Sequence, residues 1–189
     1  GSRLAYLTHL FAEDEVELFL GIRNPATHLP AMYAATPHTQ FIEFLDGADP
    51  GDIYWSDLIT SIRQEAPNVH VTVWCNEDTP LIWSELVREI AGLAANEPIL
   101  GGYDLLSEIM SKEGMTRFDS YLKSHPDMTE MQTRRVITAF LDKFALDDMV
   151  EEEVDLQGWT DPLIEQLTEQ YEEDLFEISR IPGVTLLSP

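Results

Sequence analysis

Only 11 of the 189 residues are Lys or Arg, against 35 Asp and Glu. Each cation is therefore informative, and Arg23 is the most informative of them. It follows directly on the apolar run Val16 to Ile22 and precedes Asn24-Pro25, a capping residue and a first-turn proline. An arginine at the carboxyl end of a buried strand, beside a helix N-terminus, stands where open α/β sheets take ligands. The leading N–H groups and the helix dipole favour an anion there, and a guanidinium fork grips two phosphate oxygens. Arg23 and Asn24 are thus the candidate phosphate-binding residues. The alternative is a structural ion pair between Arg23 and a carboxylate such as Glu77 or Asp78.

Two further side chains are candidates for acid–base work near that crevice. His28 lies five residues beyond Arg23, and Glu77 with Asp78 follows the second apolar run. The bland alternatives are an ordinary half-buried histidine and a carboxylate pair that caps the next helix. The five histidines include no closely spaced pair of the zinc-binding kind, and the single Cys75 makes neither an internal disulfide nor a thiolate cluster. Asp147, Asp148, Glu151, Glu152, Glu153 and Asp155 lack the ligand spacing and the sixth-position glycine of a calcium loop. They read as a solvated face, and no metal is expected. No Gly-x-Ser-x-Gly elbow is present.

These residues need an α/β frame. The run at 16–22 is too short for a core helix and reads as a buried strand, and 69–74 (VHVTVW) repeats the grammar before Thr79-Pro80. Between them Trp55, Leu58, Ile59 and Ile62 share one helical face, so 52–65 has the right size for a crossover between parallel strands. After Gly101-Gly102, a turn with no following Lys, apolar spacing of three and four predicts helices over 103–110, 114–124 and 129–146. A long helix over about 161–180 ends before Pro182-Gly183, and Val184 to Leu187 reads as a short strand that docks on the sheet. The pattern divides the chain into an α/β part, 1–100, and a largely helical part, 101–189.

The ordered motifs also resemble a known family. Leu18-Phe19-Leu20-Gly21-Ile22-Arg23-Asn24-Pro25, followed by a helix with Tyr33, resembles the 3'-phosphate-binding element of the P-loop sulfotransferases, which use 3'-phosphoadenylyl sulfate as donor. Trp55, then Val71 to Asp78 with its aromatic-x-x-Glu-Asp ending, is similar to the family's later strand. Tyr171-Glu172-Glu173-Asp174-Leu175 before Ile181-Pro182-Gly183-Val184 resembles the tail of bacterial sulfotransferase-like proteins. The resemblance implies a partial three-layer P-loop sulfotransferase-like fold, matching the family's carboxyl-terminal two-thirds. It also implies a nucleotide-binding role in which Arg23 contacts the donor's 3'-phosphate. Ala31 stands where the family has a Ser that shares this contact. The family's phosphate loop and catalytic Lys fall ahead of the position of Arg3, so a fragment or diverged transferase, inactive as this chain alone, is expected. The sulfate acceptor, small molecule or protein, is not specified.

Charge sets the other limits. The net charge of -24 argues against nucleic acid and against anionic membranes, both of which require a basic surface. The residues from Phe144 to Pro189 hold thirteen acids and one base, Arg180. The alternative function is accordingly a non-catalytic acidic interaction or scaffold protein that meets a basic partner or forms a homodimer. Cysteine usage and the lack of an apolar run of about 20 residues lead to the expectation of a cytoplasmic protein.

Overall fold

The computed structural model describes residues 6, 8–11, 14–37, 40–95, 97–146 and 156–189. The acidic run between Asp147 and Asp155 and His38 lie outside them. The class is α/β, with a short three-stranded parallel sheet and about 59% helix, which makes the helices the main packing partners of a small sheet. Two units form: residues 1–76 with 154–186, and residues 77–153 with 187–189. The change of pattern at Gly101-Gly102 falls inside the second of these.

In the first unit β1 (Glu17–Ile22) leads through α1 (Pro25–Ala34), α2 (Phe41–Leu45) and α3 (Trp55–Glu65) to β2 (His70–Cys75). After α8 (Asp161–Ile178) the chain returns as β3 (Val184–Leu187), giving the order β1-β2-β3 with β2 central. The parallel register pairs Leu18 with Val71, Leu20 with Val73 and Ile22 with Cys75. Since side chains alternate along a strand, those six residues share one face. Ile59 and Ile62 of α3 and Tyr171 and Ile178 of α8 pack against it. Trp74 lies over Gly21 on the opposite face, where a Cβ would stand 2.9 Å from the indole. A second cluster joins Ala26, Leu29, Phe41, Trp159 and Leu167.

The start of β2 and the turn before β3 are tied by one side chain. Arg63 donates from Nε to the Pro182 carbonyl at 3.0 Å and from a terminal nitrogen to the Val69 carbonyl. Gly183 follows with φ +75, and its Cα faces the guanidinium so closely that a Cβ would overlap it.

The second unit contains α4 (Thr79–Ile90), α5 (Asp104–Ile109), α6 (Lys112–Ser124) and α7 (Glu130–Phe144). Its core gathers Leu106, Phe118 and Ile137 with Leu81, Tyr103 and Phe140. Ser111 caps α6, and Thr129 with Gln132 forms a reciprocal capping box at α7. The Gly101-Gly102 turn is pinned by α4, whose Trp83 and Ser84 donate to the two glycine carbonyls at 3.1 and 2.7 Å. No helix among the described residues is long and apolar enough to cross a membrane.

Candidate functional site

Arg23 stands one residue beyond β1, and the chain there is fixed from four directions. Asn24 closes the N-terminus of α1: its Oδ1 accepts from the Ala26 amide at 2.9 Å, with Pro25 in the first turn. Its side-chain amide donates to Thr168 Oγ1 of α8 at 2.9 Å. The Arg23 carbonyl accepts from Trp55 Nε1 at 2.9 Å, which joins the strand end to α3. Arg23 Nε donates to Thr27 Oγ1 at 3.0 Å, so the guanidinium is drawn across the first turn of α1.

His28 meets the same assembly, its ring edge-on to Trp55 with centroids 5.3 Å apart. Arg23, Asn24 and His28 are therefore brought together by β1, α1 and α3. Glu77 is the first residue of the second unit, in the single 3-10 turn Asn76–Asp78 after β2. Asp78 occupies the N-cap position of α4 without a side-chain capping bond. Cys75 is buried in the sheet core.

The amides of α1 correct one part of the sequence reading, which took them as open donors. The Ala26 N–H goes to Asn24 Oδ1, and the Thr27 and His28 N–H groups go to the Asn24 carbonyl at 3.0 and 2.8 Å. An anion here would rely on the guanidinium and the dipole rather than on those three donors. Thr27 went unnoticed in the sequence, yet it orients Arg23. It lies one helical turn before Ala31, where the family resemblance calls for a hydroxyl.

A cavity of about 100 Å³ in the second unit is lined by Ser84, Glu85, Arg88, Tyr103, Glu130 and Arg134. Its arginines are paired, Arg88 with Glu130 and Arg134 with Glu85. Burial pushes the Tyr103 phenol above its ordinary value, with Arg88 opposing and Glu130 adding to the shift. Among the described residues no three His, Cys, Asp or Glu side chains gather as a metal site.

No protein-family model matches the chain, and no curated protein or solved structure of significant similarity was found.

Proposed function

We propose that the chain is a sulfotransferase-like protein whose β1–α1 junction holds the 3'-phosphate of an adenylyl donor of the 3'-phosphoadenylyl sulfate type. The observation that carries this reading is the placement of Arg23: it directly follows a parallel strand, beside a helix N-terminus, with its Nε held by Thr27. That is the crevice position at which doubly wound sheets receive phosphates. Asn24 and Trp55 fix the backbone around it, and the three-layer P-loop arrangement belongs to the same proposal.

Within this reading Arg23 supplies charge and a planar fork for two phosphate oxygens. In a full transferase built on this reading, His28 is the first unit's candidate to take the proton of an acceptor hydroxyl as sulfuryl transfer leaves adenosine 3',5'-bisphosphate. The contacts to the 5'-phosphosulfate are assigned to no residue of this chain, so it binds rather than transfers.

Calorimetric titration of adenosine 3',5'-bisphosphate tests the site. Binding is expected in the native chain, with a loss of about tenfold or more in Arg23→Ala, as for removal of a charged hydrogen-bonding partner. Equal affinity in both, or no heat with a folded native chain, overturns the proposal.

A further inference from the structure

We propose that the exposed face of α8 docks an arginine-bearing peptide segment of a partner protein, a site independent of the anion site at Arg23. Glu169, Glu172, Glu173, Phe176 and Glu177 are all exposed and follow one another at i, i+3, i+4, i+7 and i+8, so they form a single stripe. The opposite face, Leu167, Tyr171 and Ile178, is buried, and so is Asp174 at its edge. With Tyr54 and Ser56 the stripe lines a groove of about 820 Å³, within the size range of ligand sites.

The groove calls for cations, and it calls for them in a row. Among the described residues no three carboxylates converge on one point, so a single metal ion does not fit. Glu169, Glu173 and Glu177 are four residues apart, about 6 Å along the axis at each step. An extended peptide repeats same-side side chains at nearly that distance, about 6.6 Å. Alternate arginines of a strand-like segment would thus meet successive glutamates. The stripe also places like charges at i and i+4 twice, an arrangement that weakens a helix; Arg180 offsets part of it from 3.9 Å at Glu177, and a basic partner would neutralise the rest.

Two further observations select guanidinium. Asp174 lines the same groove and is 4% exposed. Its Oδ2 accepts from the Trp55 and Ser56 amides, while its Oδ1 is buried without a hydrogen-bond partner. A donor entering the groove would complete it. Phe176 already carries a guanidinium: Arg180 Cζ lies 4.4 Å above its ring. Tyr54, exposed on the other wall, offers a second aromatic face for the same contact.

The test uses a fluorescein-labelled, end-blocked Arg-Ser-Arg-Ser-Arg peptide and the full chain, read by fluorescence polarisation at near-physiological salt. Binding is expected to weaken about tenfold in Glu169→Gln/Glu173→Gln/Glu177→Gln, as for several partly screened ion pairs lost together. A charge-matched control in the second unit, Glu108→Gln/Asp127→Asn/Asp142→Asn, should stay within about twofold. The triple variant relieves like-charge repulsion and should keep its fold by circular dichroism. Phe176→Ala, which leaves every carboxylate in place, should weaken the arginine peptide more than its lysine counterpart. Equal loss in the two triple variants would show diffuse attraction to the charge of the whole chain and overturn the site. So would a clustered Ser-Ser-Arg-Arg-Arg peptide that binds as well, full competition by spermine, or no binding at all.

Discussion

Trp159 donates its indole N–H to the carbonyl oxygen of Ala26 at 3.0 Å, from 133 residues further along the chain. The bond falls where α1 needs one. Pro30 sits buried inside that helix and has no N–H, so the carbonyl four residues before it, that of Ala26, loses its usual helical donor. Trp159 replaces the missing donor and sets its ring edge-on to Phe41 at 5.2 Å. The first turn of α1, which carries the residues around Arg23, is thereby held from outside the helix.

Trp159→Phe keeps most of the ring but leaves the Ala26 carbonyl buried and unserved. A loss of about 1–3 kcal/mol in the chemical unfolding of the chain is expected. Pro30→Ala returns a backbone N–H to the helix, so Trp159→Phe should cost less in that background. A full, additive cost in the double variant would show that the indole does not substitute for the helical bond.

Asp174 does for α3 what Trp159 does for α1. Tyr54 occupies the N-cap position of α3 without a side-chain bond. The leading amides of the helix instead reach Asp174 Oδ2, at 2.7 Å from Trp55 and 3.2 Å from Ser56. Asp174→Ala removes this remote cap and should cost about 2 kcal/mol, toward the upper end for N-caps. Asp174→Asn keeps an acceptor oxygen and should cost less. Urea denaturation of the two variants decides the matter: equal losses would place the effect in packing rather than in the cap.

Gly183 and Arg63 form a second dependent pair. A side chain at 183 meets both a positive φ and the guanidinium that binds the Val69 and Pro182 carbonyls. Gly183→Ala should cost about 1–2 kcal/mol from the left-handed backbone, and more if Arg63 is driven off its carbonyls. Because both changes act on the same contacts, Gly183→Ala with Arg63→Ala should cost less than the sum of the two. Strict additivity in thermal or urea unfolding would refute the coupling.

The local grammar of the strands was legible in the residues because it needs only neighbours. A short apolar run followed by Asn24-Pro25, and another followed by Thr79-Pro80, specify strand and then helix, and both strands form within one residue of the expected limits. The short helix α2 gave no such signal: five residues carry no periodicity, and Phe41 is held by contacts with Tyr33 and Trp159. The division of the chain was hidden for a similar reason. α4 has the same amphipathic pattern whichever core it joins, and only its tertiary contacts assign it to the second unit: Leu81 on the cluster of Leu106, Phe118 and Ile137, Trp83 and Ser84 on the Gly101-Gly102 turn, and Arg88 with Glu130. At the β1–α1 junction, the nearness of Arg23, Asn24 and His28 to one another followed from their place in the chain. Thr27 and Thr168 did not, because a single hydroxyl announces no partner in sequence. Asp174 had a readable signal: a carboxylate in the same helical phase as Leu167, Tyr171 and Ile178.

Tyr103 makes the stability of the second unit depend on alkaline pH. Its phenol is half-buried, with its ring edge-on to Phe118 at 5.2 Å. Burial raises its pKa above the ordinary value of 10.0, against the pull of Arg88 and with a smaller push from Glu130. A group whose folded pKa exceeds its unfolded one contributes fully below the unfolded value and loses that contribution as pH rises through the folded value. The fold disfavours the phenolate, so the thermal midpoint should fall more steeply as pH rises past about 10 in the native chain than in Tyr103→Phe. The Phe variant keeps the ring on Phe118 and carries no proton to lose, so the difference between the two slopes isolates this phenol from every other base-titrating group. Parallel slopes would sink the prediction. Ultraviolet titration of the native chain, which should show one phenolate forming later than in the unfolded chain, checks the same shift without reference to stability.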